Sequence, residues 1–122
     1  MQKGFYFIGV NETDHNGETM FVPELKEGSV EYHGRLYIHR EKDYTGNPNA
    51  WRLSHRNTGA AILVGIDLTS ARMLAKELQP FTIWDIKTYV EIMEAITEAQ
   101  SNPEAPYYQE CKDIREIRNL RA

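Results

Sequence analysis

The hydrophobic period of the sequence changes within residues 51–78, WRLSHRNTGAAILVGIDLTSARMLAKEL. At the start of this stretch, a period of two predicts a β-strand with Trp51, Leu53 and His55 on one face. Residues 60–66 are almost all apolar and predict a second, buried strand. Beyond them the apolar residues recur every three to four positions, which predicts a helix. The fold class therefore depends on this stretch, where strands give way to helices.

Upstream of this stretch the sequence predicts more strands. Residues 4–10, GFYFIGV, are aromatic and β-branched, which is typical of a strand buried on both faces or nearly so. Asn16-Gly17 lies between this run and residues 19–22, and Asn-Gly favours a tight hairpin turn. We therefore predict a first hairpin here. Pro23 is expected to end its second strand or to place that strand on a sheet edge.

Between the hairpin and residue 51 the sequence alternates short apolar runs with turn residues. A turn is predicted at residues 27–29, followed by two short strands that are broken at His33-Gly34. Residues 43–49, DYTGNPN, have the composition of a loop. Together these elements predict an antiparallel sheet of five to six strands.

Helices follow the strands. The first is expected to have its N-cap near Thr69 or Ser70 and to end at Pro80. Thr82 and Asp85 have the spacing of a capping box, which predicts the start of the next helix. The broad apolar face of that helix comprises Ile86, Tyr89, Val90, Ile92, Met93, Ala95, Ile96 and Ala99. A face of this width favours packing against both the sheet and another helix.

A last helix is predicted from about residue 107 to residue 120. The sequence thus predicts one α+β domain over residues 1–122, β-rich in residues 1–66 and with three helices in residues 67–122. A chain of this length can bury a self-sufficient core.

Composition narrows the classes of function. The net charge of −4 argues against binding to duplex nucleic acid, which usually requires a basic surface. No apolar run approaches the roughly 20 residues of a membrane span, and no leader-peptide pattern is present, so we expect a cytoplasmic protein with no membrane contact. The single cysteine, Cys111, excludes a disulfide within the chain. No cofactor is predicted, because the glycine motifs that bind phosphates are absent.

Positive charge is concentrated in two short stretches of an otherwise acidic chain. Residues 50–66 contain two arginines and no acidic residue, and residues 107–122 contain four basic and three acidic residues. Arginine side chains match the geometry of phosphate and carboxylate groups. We therefore interpret the two stretches as parts of one anion-binding site.

The first basic stretch contains the richest polar segment, WRLSHRNTG at residues 51–59. The turn at its end can offer backbone N–H groups to an anion, and an aromatic residue near the second helix can stack on a base. The candidate ligand-binding residues are Arg52, His55, Arg56, Asn57, Thr58, Phe81, Trp84, Arg115 and Arg118. A purely structural role for this segment stays open. In that case Trp51 and Leu53 would belong to the core, His55 would be a buried, hydrogen-bonded histidine, and residues 57–59 would form a tight turn.

The last helix carries a repeating triplet of acidic, apolar and basic residues over residues 110–121, with Asn119 in the last acidic position. Since an α-helix turns every 3.6 residues, like charges fall at i and i+3, and ion pairing within the helix does not explain the pattern. Three explanations stay open. In the first, the helix is solvated and its basic residues lie near the negative C-terminal end of the helix dipole. In the second, it joins a homodimer or higher homo-oligomer through cross-paired charges. In the third, Arg115 and Arg118 reach an anion site.

Catalytic and metal-binding patterns are weak. Ser54 and His55 are neighbours on a strand and should point to opposite faces, so they do not suit a nucleophile and its base. Cys111 lies in a helix interior and is interpreted as a small apolar filler. His33 and His39 lie across a predicted hairpin and keep a two-histidine metal site open, although no established metal-ligand spacing is present.

The chain as a whole resembles accessory proteins of phages and other mobile elements in its small size, mild acidity, hairpin-rich first half and helical second half. Some proteins of that kind block host defence by masking a defence protein or by sequestering a nucleotide signal. The resemblance implies a binding function and assigns a role to no individual residue.

The sequence therefore favours a binding module that captures an anionic, nucleotide-like ligand through arginines and an aromatic side chain. A homodimer or higher homo-oligomer is expected to form through the C-terminal helix. The first alternative is a protein–protein inhibitor or adaptor with Tyr44, Trp84, Tyr107 and Tyr108 on its contact surface. The second alternative is a small hydrolase that uses His55 or the two-histidine metal site.

Overall fold

The computed structural model describes residues 2–40 and 49–121. Its strands are β1 (Gln2–Thr13), β2 (Thr19–His33), β3 (Leu36–Arg40), β4 (Trp51–His55) and β5 (Ala61–Ile66). Its helices are α1 (Leu68–Leu78), α2 (Tyr89–Ser101) and α3 (Tyr108–Arg121), with a 3₁₀ turn over Thr82–Asp85. The strands form one antiparallel sheet in the order β1-β2-β3-β4-β5, which confirms the predicted α+β class. Most of the loop predicted at residues 43–49 lies outside the described residues.

The helices cover one face of the sheet, which we term the inner face. Leu36 and Ile38 of β3 and Leu53 of β4 lie on it and are fully buried. α1 packs on β3 and β4, and α3 packs on α1 and α2. The helical side of the core comprises Ala71, Leu74, Ala75, Leu78, Ile83, Trp84, Ile92 and Ile114. Trp51 also packs against this core, so the face predicted for β4 is confirmed.

The first two strands form a ribbon that extends past the rest of the sheet. β2 pairs with β1 over residues 19–30 but with β3 only over residues 30–33. The ribbon brings Tyr6 onto the outer face of β3, where its ring centroid lies 4.5 Å from that of His39 and 5.7 Å from that of Tyr37. Tyr37 is therefore fully buried although it points away from the helices.

β2 differs from the sequence prediction. It runs without a break through Pro23 and through the turn predicted at residues 27–29. Proline is tolerated there because, among the described strands, this part of β2 pairs with β1 and has no neighbour on its other side. Gly4 and Gly28 lie opposite each other in the ribbon, and a Cβ on Gly4 would approach Tyr32 Oη to 2.8 Å. The glycines therefore serve close packing of tyrosine rings within a strand, not a turn.

The first hairpin is confirmed, with a longer connection than Asn-Gly alone requires. The Asp14 carboxylate accepts hydrogen bonds from the backbone N–H groups of Asn16 at 2.9 Å and Glu18 at 3.0 Å. Gly17 adopts a φ of 82°, in the left-handed region that glycine tolerates. An aspartate at the end of β1 thus organises the turn.

Several apolar side chains that the sequence predicts to be buried are exposed. Phe5 and Phe7 of β1 are 60% and 41% exposed, and Val64 of the edge strand β5 is 48% exposed. In α2, Ile92 faces the core whereas Val90 is 64% exposed. The buried face of α2 is therefore narrower than the sequence predicts. Hydrophobic periodicity shows which side chains share a face, but a second layer of structure must cover that face to bury them.

α1 begins slightly earlier than the predicted caps. Asp67, rather than Thr69 or Ser70, is the N-cap, and its carboxylate accepts a hydrogen bond from the Ser70 N–H at 3.3 Å. Aspartate satisfies the free amides of a first turn as well as a hydroxyl does, so the residue directly before the helix takes this role.

α2 begins later than the predicted capping box. Its N-cap is Thr88, whose hydroxyl accepts a hydrogen bond from the Glu91 N–H at 3.2 Å. Ile86 has extended backbone dihedrals, φ −62° and ψ 131°, which separate the 3₁₀ turn from the helix. Thr82 and Asp85 therefore belong to that turn and do not start the helix.

A carboxylate from α3 caps this 3₁₀ turn. Glu110 accepts hydrogen bonds from the Thr82 hydroxyl at 2.5 Å and from the Ile83 N–H at 3.0 Å. The turn thus obtains its cap from a different helix. This contact holds α3 against the segment that carries Trp84.

We expect Glu110→Ala to lower the free energy of unfolding by about 1–2 kcal/mol, because loss of a capping side chain leaves two donors without their acceptor. Urea unfolding followed by circular dichroism measures the change. Glu116→Ala is the matched control, since Glu116 is an exposed glutamate on the same helix; it should change stability by less than about 0.5 kcal/mol. Equal effects of the two substitutions would contradict the capping role.

Candidate functional site

β4 distributes its polar side chains over both faces of the sheet. His55 lies on the inner face and bonds to Trp84, whereas Arg52 and Ser54 lie on the outer face. Ser54 Oγ is 3.5 Å from Nε2 of His39, which shares that outer face. Ser54 and His55 thus point to opposite sides, as strand alternation predicts, and do not form a nucleophile–base pair.

His55 is fully buried, and both of its ring nitrogens are hydrogen-bonded. Nε2 donates to the backbone oxygen of Trp84 at 2.7 Å, and Nδ1 accepts from the Thr58 hydroxyl at 2.8 Å. Because a carbonyl can only accept, the proton is on Nε2. Burial lowers the pKa of His55, with repulsion from Arg35 adding to the effect and the bond to Trp84 opposing it. His55 therefore has the contacts of a neutral structural histidine.

A cavity of about 190 Å³ lies between the inner face of the sheet, the 3₁₀ turn, α2 and α3. Its larger apolar residues are Ile62, Ile83, Trp84, Ile92, Met93, Ile96 and Ile114. Its polar residues and its thiol are His55, Gln100, Cys111, Arg115 and Arg118. The structure thus brings together four of the predicted ligand-binding residues, which are His55, Trp84, Arg115 and Arg118.

The two arginines make one side of this apolar cavity positive. Arg115 is exposed and Arg118 is half-buried, and neither forms a salt bridge with a described residue. The Nε atom of Arg118 is buried and has no hydrogen-bond partner in the part of the chain that the structure describes. Burial and the neighbouring Glu110 raise the pKa of the Cys111 thiol, with Arg115 opposing them. Cys111 is therefore a neutral thiol in the lining of the cavity.

Arg52 and Arg56 do not line the cavity. Arg52 lies on the outer face of the sheet. The Arg56 guanidinium carbon lies 4.5 Å from the centre of the Tyr32 ring, and its Nη1 donates to the Gly34 carbonyl at 3.3 Å. The two basic stretches of the sequence thus contribute to different parts of the molecule.

Asn57 and Phe81 have mainly structural contacts. Asn57 Nδ2 donates to the backbone oxygens of Trp84 at 3.4 Å and Ile86 at 3.3 Å. Phe81 packs against the core and is partly buried. Trp84 is only 5% exposed, and its Nε1 donates to the Leu78 carbonyl at 2.8 Å. Its ring therefore faces the core and the cavity, not solvent.

A second concavity, of about 340 Å³, lies where the ribbon meets the end of β4, and we term it the aromatic groove. It is lined by Leu25, Arg56, Asn57 and five aromatic side chains. The aromatic residues are Phe5, Tyr6, Phe7, Tyr32 and Tyr37. The sequence pattern does not predict these five as site residues, because residues 4–10 have the composition of a buried strand and Tyr32 and Tyr37 lie in the two short strands predicted around His33-Gly34. The sequence feature that could have indicated this groove is the high density of aromatic residues in the strands near the turn that contains Arg56.

The two histidines considered for a metal site lie on opposite faces of the sheet. His39 pairs with Val30 on the outer face, whereas His33 pairs with Leu36 on the inner face. His33 Nε2 instead lies 2.7 Å from a carboxylate oxygen of Glu31. Within residues 2–40 and 49–121, no three His, Cys, Asp or Glu side chains are grouped so that they could hold a metal ion.

The aromatic residues considered for a protein interface do not form one exposed surface. Trp84 is buried, Tyr107 and Tyr108 are half-buried, and Tyr44 lies outside the described residues. Leu120 of α3 is 83% exposed, and self-association through this helix stays a prediction. None of the described helices has the length and apolar character needed to cross a bilayer.

Comparison with protein-family models, curated proteins and solved structures found no match to this chain. The fold and its cavity define a small α+β protein with an apolar, arginine-flanked internal space. Function is therefore inferred from the geometry of the cavity and the groove.

Proposed function

We propose that the protein is a binding module that captures a small anionic ligand with a compact apolar body in the cavity beside α3. The observation that carries this proposal is the buried Nε of Arg118, which has no hydrogen-bond partner in the described chain and belongs to a residue lining the cavity. Buried polar groups in folded proteins almost always have partners, and an unpaired donor on a charged group is costly. A carboxylate or phosphate in the cavity would supply the acceptor.

Arg115 supports the same function. It lies three residues before Arg118 on α3, and side chains at this spacing are neighbours on one face of a helix. Two guanidinium groups can together hold one carboxylate or phosphate by several charge-assisted hydrogen bonds. Since no described carboxylate forms a salt bridge with either arginine, both charges are available to a ligand.

The volume and the apolar lining of the cavity limit the size and polarity of the non-ionic part of the ligand. An apolar cavity of about 150 Å³ holds a benzene molecule, so a space of about 190 Å³ suits a one- or two-ring body. A whole nucleotide is larger than this space. The side chains of Ile62, Ile92 and Ile96 also offer no partner to the polar edge of a base. The cavity therefore favours an aromatic or branched aliphatic acid over the nucleotide that the sequence suggests.

We expect 3-phenylpropionate and indole-3-acetate to raise the melting temperature of the protein more than their neutral amides do, because only the acids pair with the arginines. Replacing both Arg115 and Arg118 by glutamine should weaken binding of the acids at least about tenfold in isothermal titration calorimetry, given the strength of hydrogen bonds to charged groups. The melting temperature without ligand should change little, because neither arginine forms a salt bridge with a described residue.

Lys112→Gln is the matched control, because Lys112 is exposed on the same helix and does not line the cavity. It should bind the acids as the unmodified protein does. Equal melting shifts with acids and amides, or full affinity in the double arginine variant, would overturn the proposal.

A further inference from the structure

The aromatic groove has the features of a ligand site that is separate from the cavity. It contains Tyr37 and Arg56, which belong to the outer side of the sheet, and it shares no described lining residue with the cavity. Its volume of about 340 Å³ lies in the range of small-molecule sites. The groove therefore suits a ligand larger than the one proposed for the cavity.

The groove contains a buried hydroxyl without a partner. Tyr37 is 0% exposed, and its Oη makes no hydrogen bond to any residue that the structure describes. Ser54 is close enough to favour ionisation of the phenol, but the two hydroxyl groups do not reach hydrogen-bond geometry. Burial dominates and raises the pKa of Tyr37 far above its ordinary value, so the hydroxyl keeps its proton. A ligand in the groove can use it as a donor or an acceptor.

Arg56 supplies positive charge to the same groove. Its guanidinium stacks on the Tyr32 ring, and the Tyr32 hydroxyl donates to the Phe5 carbonyl at 2.5 Å, which anchors the stacked pair to β1. One nitrogen of Arg56 is used by the Gly34 carbonyl. The other donors form no salt bridge within the described chain, and the side chain is exposed. The guanidinium is thus held in place with donors left for an anion.

We propose that the aromatic groove binds a free nucleotide. Its base stacks on the aromatic side chains that line the groove on the Tyr37 side, the Tyr37 hydroxyl bonds to the edge of the base, and Arg56 binds the phosphate. Aromatic side chains stack on any base, and the arginine fork matches phosphate oxygens. A long single strand of nucleic acid would need a basic track for its repeated phosphates, and the protein carries a net charge of −4. The occupant is therefore a single nucleotide.

Isothermal titration calorimetry with AMP, adenosine and ribose 5-phosphate tests this site. We expect AMP to bind at least about tenfold more tightly than either fragment, because only AMP uses both the aromatic rings and Arg56. Arg56→Gln should weaken AMP binding at least about tenfold. Tyr37→Phe should weaken it several-fold, while its melting temperature is unchanged or higher because the variant no longer buries an unpaired hydroxyl. A merely structural tyrosine hydroxyl would lower the melting temperature when removed.

The matched control is the double variant of Arg115 and Arg118, which should bind AMP with unchanged affinity because neither residue lines the groove. Conversely, Tyr37→Phe should leave binding of the aromatic acids to the cavity unchanged, so the two sites can fail independently. The proposal is wrong if AMP, GMP, CMP and UMP all fail to bind at millimolar concentration, or if the Tyr37 and Arg56 variants bind AMP as the unmodified protein does. Tighter binding of an adenosine tetranucleotide than of AMP would overturn the assignment to a free nucleotide.

Discussion

Replacing His55 by alanine should lower the free energy of unfolding by about 3 kcal/mol. The substitution creates a cavity at a fully buried position. It also removes the donor to the Trp84 carbonyl and the acceptor of the Thr58 hydroxyl. The Trp84 carbonyl keeps a hydrogen bond from Asn57 at 3.4 Å, which limits the loss. Urea unfolding followed by circular dichroism measures the change.

The control for this substitution is His15→Ala, because His15 is an exposed histidine in the turn of the first hairpin. It should shift the free energy of unfolding by no more than about 0.5 kcal/mol. If the His55 variant unfolds at the same urea concentration as the unmodified protein, the hydrogen-bond network around His55 does not stabilise the fold.

His55 should also make stability depend on pH. Burial holds the pKa of the folded His55 below 6.5, while the unfolded chain takes up a proton near that ordinary value. The unfolded state therefore binds more protons as the pH falls, by up to one proton or about 1.4 kcal/mol per pH unit. The stability from neutral His55 is complete above the unfolded pKa and is lost as the pH falls toward the folded pKa. The stability difference between the unmodified protein and His55→Ala should therefore be smaller at about pH 5 than at about pH 8.

Replacing Trp84 by alanine should lower the free energy of unfolding by about 3–5 kcal/mol, which is the range for large aromatic residues in a core. Trp84 is 5% exposed and packs with the core cluster. It also lines the cavity of about 190 Å³, so its loss enlarges a space that already exists. The Leu78 carbonyl loses the Nε1 donor at the same time. Urea unfolding followed by circular dichroism measures this loss as well.

Trp84→Phe separates the packing of the ring from its hydrogen bond. Phenylalanine keeps most of the apolar volume but cannot donate to Leu78, so we expect a loss of about 1–2 kcal/mol. Trp51→Phe is the matched control, because Trp51 is only partly buried at the edge of the same core. An alanine variant of Trp84 as stable as the phenylalanine variant would show that the ring does not hold the core together.

The two proposed sites meet at the turn after β4. Arg56 and Asn57 line the groove, while His55 lines the cavity. Asn57 and His55 both donate to the backbone oxygen of Trp84, so one carbonyl joins the two sides. For this reason the sharpest tests use Tyr37 on one side and the α3 arginines on the other, since neither set takes part in these hydrogen bonds.

Part of the candidate site follows from the sequence and part does not. The triplet pattern of the last helix places Arg115 and Arg118 as neighbours on one helix, and in the structure both line the cavity. Their positive charge predicts that they share one site with Arg52 and Arg56, whereas Arg52 and Arg56 do not line the cavity. Strand alternation already places Arg52 and His55 on opposite faces of β4, because residues an odd number of positions apart on a strand point to opposite sides. Charge indicates that a region attracts anions, but only the direction of each side chain decides which charges meet.

Part of the local structure of this protein follows from short-range sequence patterns. The period of two in β4, the apolar period of the helices and the turn residues of the first hairpin act through contacts between near neighbours along the chain. Such contacts are present in any short segment of the chain. The α+β class, the inner face of β4 and the order of strands and helices could therefore be predicted.

Which faces are covered, and which distant side chains meet, depends on how whole strands and helices pack against one another. Phe5 is exposed and Tyr37 is buried although both lie in apolar strands, because the ribbon covers the outer face of β3, whereas no described element covers the face of β1 that carries Phe5. Glu110 caps a turn 28 residues away, in place of the local capping box. Such contacts join residues far apart in sequence, and they form only when whole elements pack together, so no short stretch of sequence contains them.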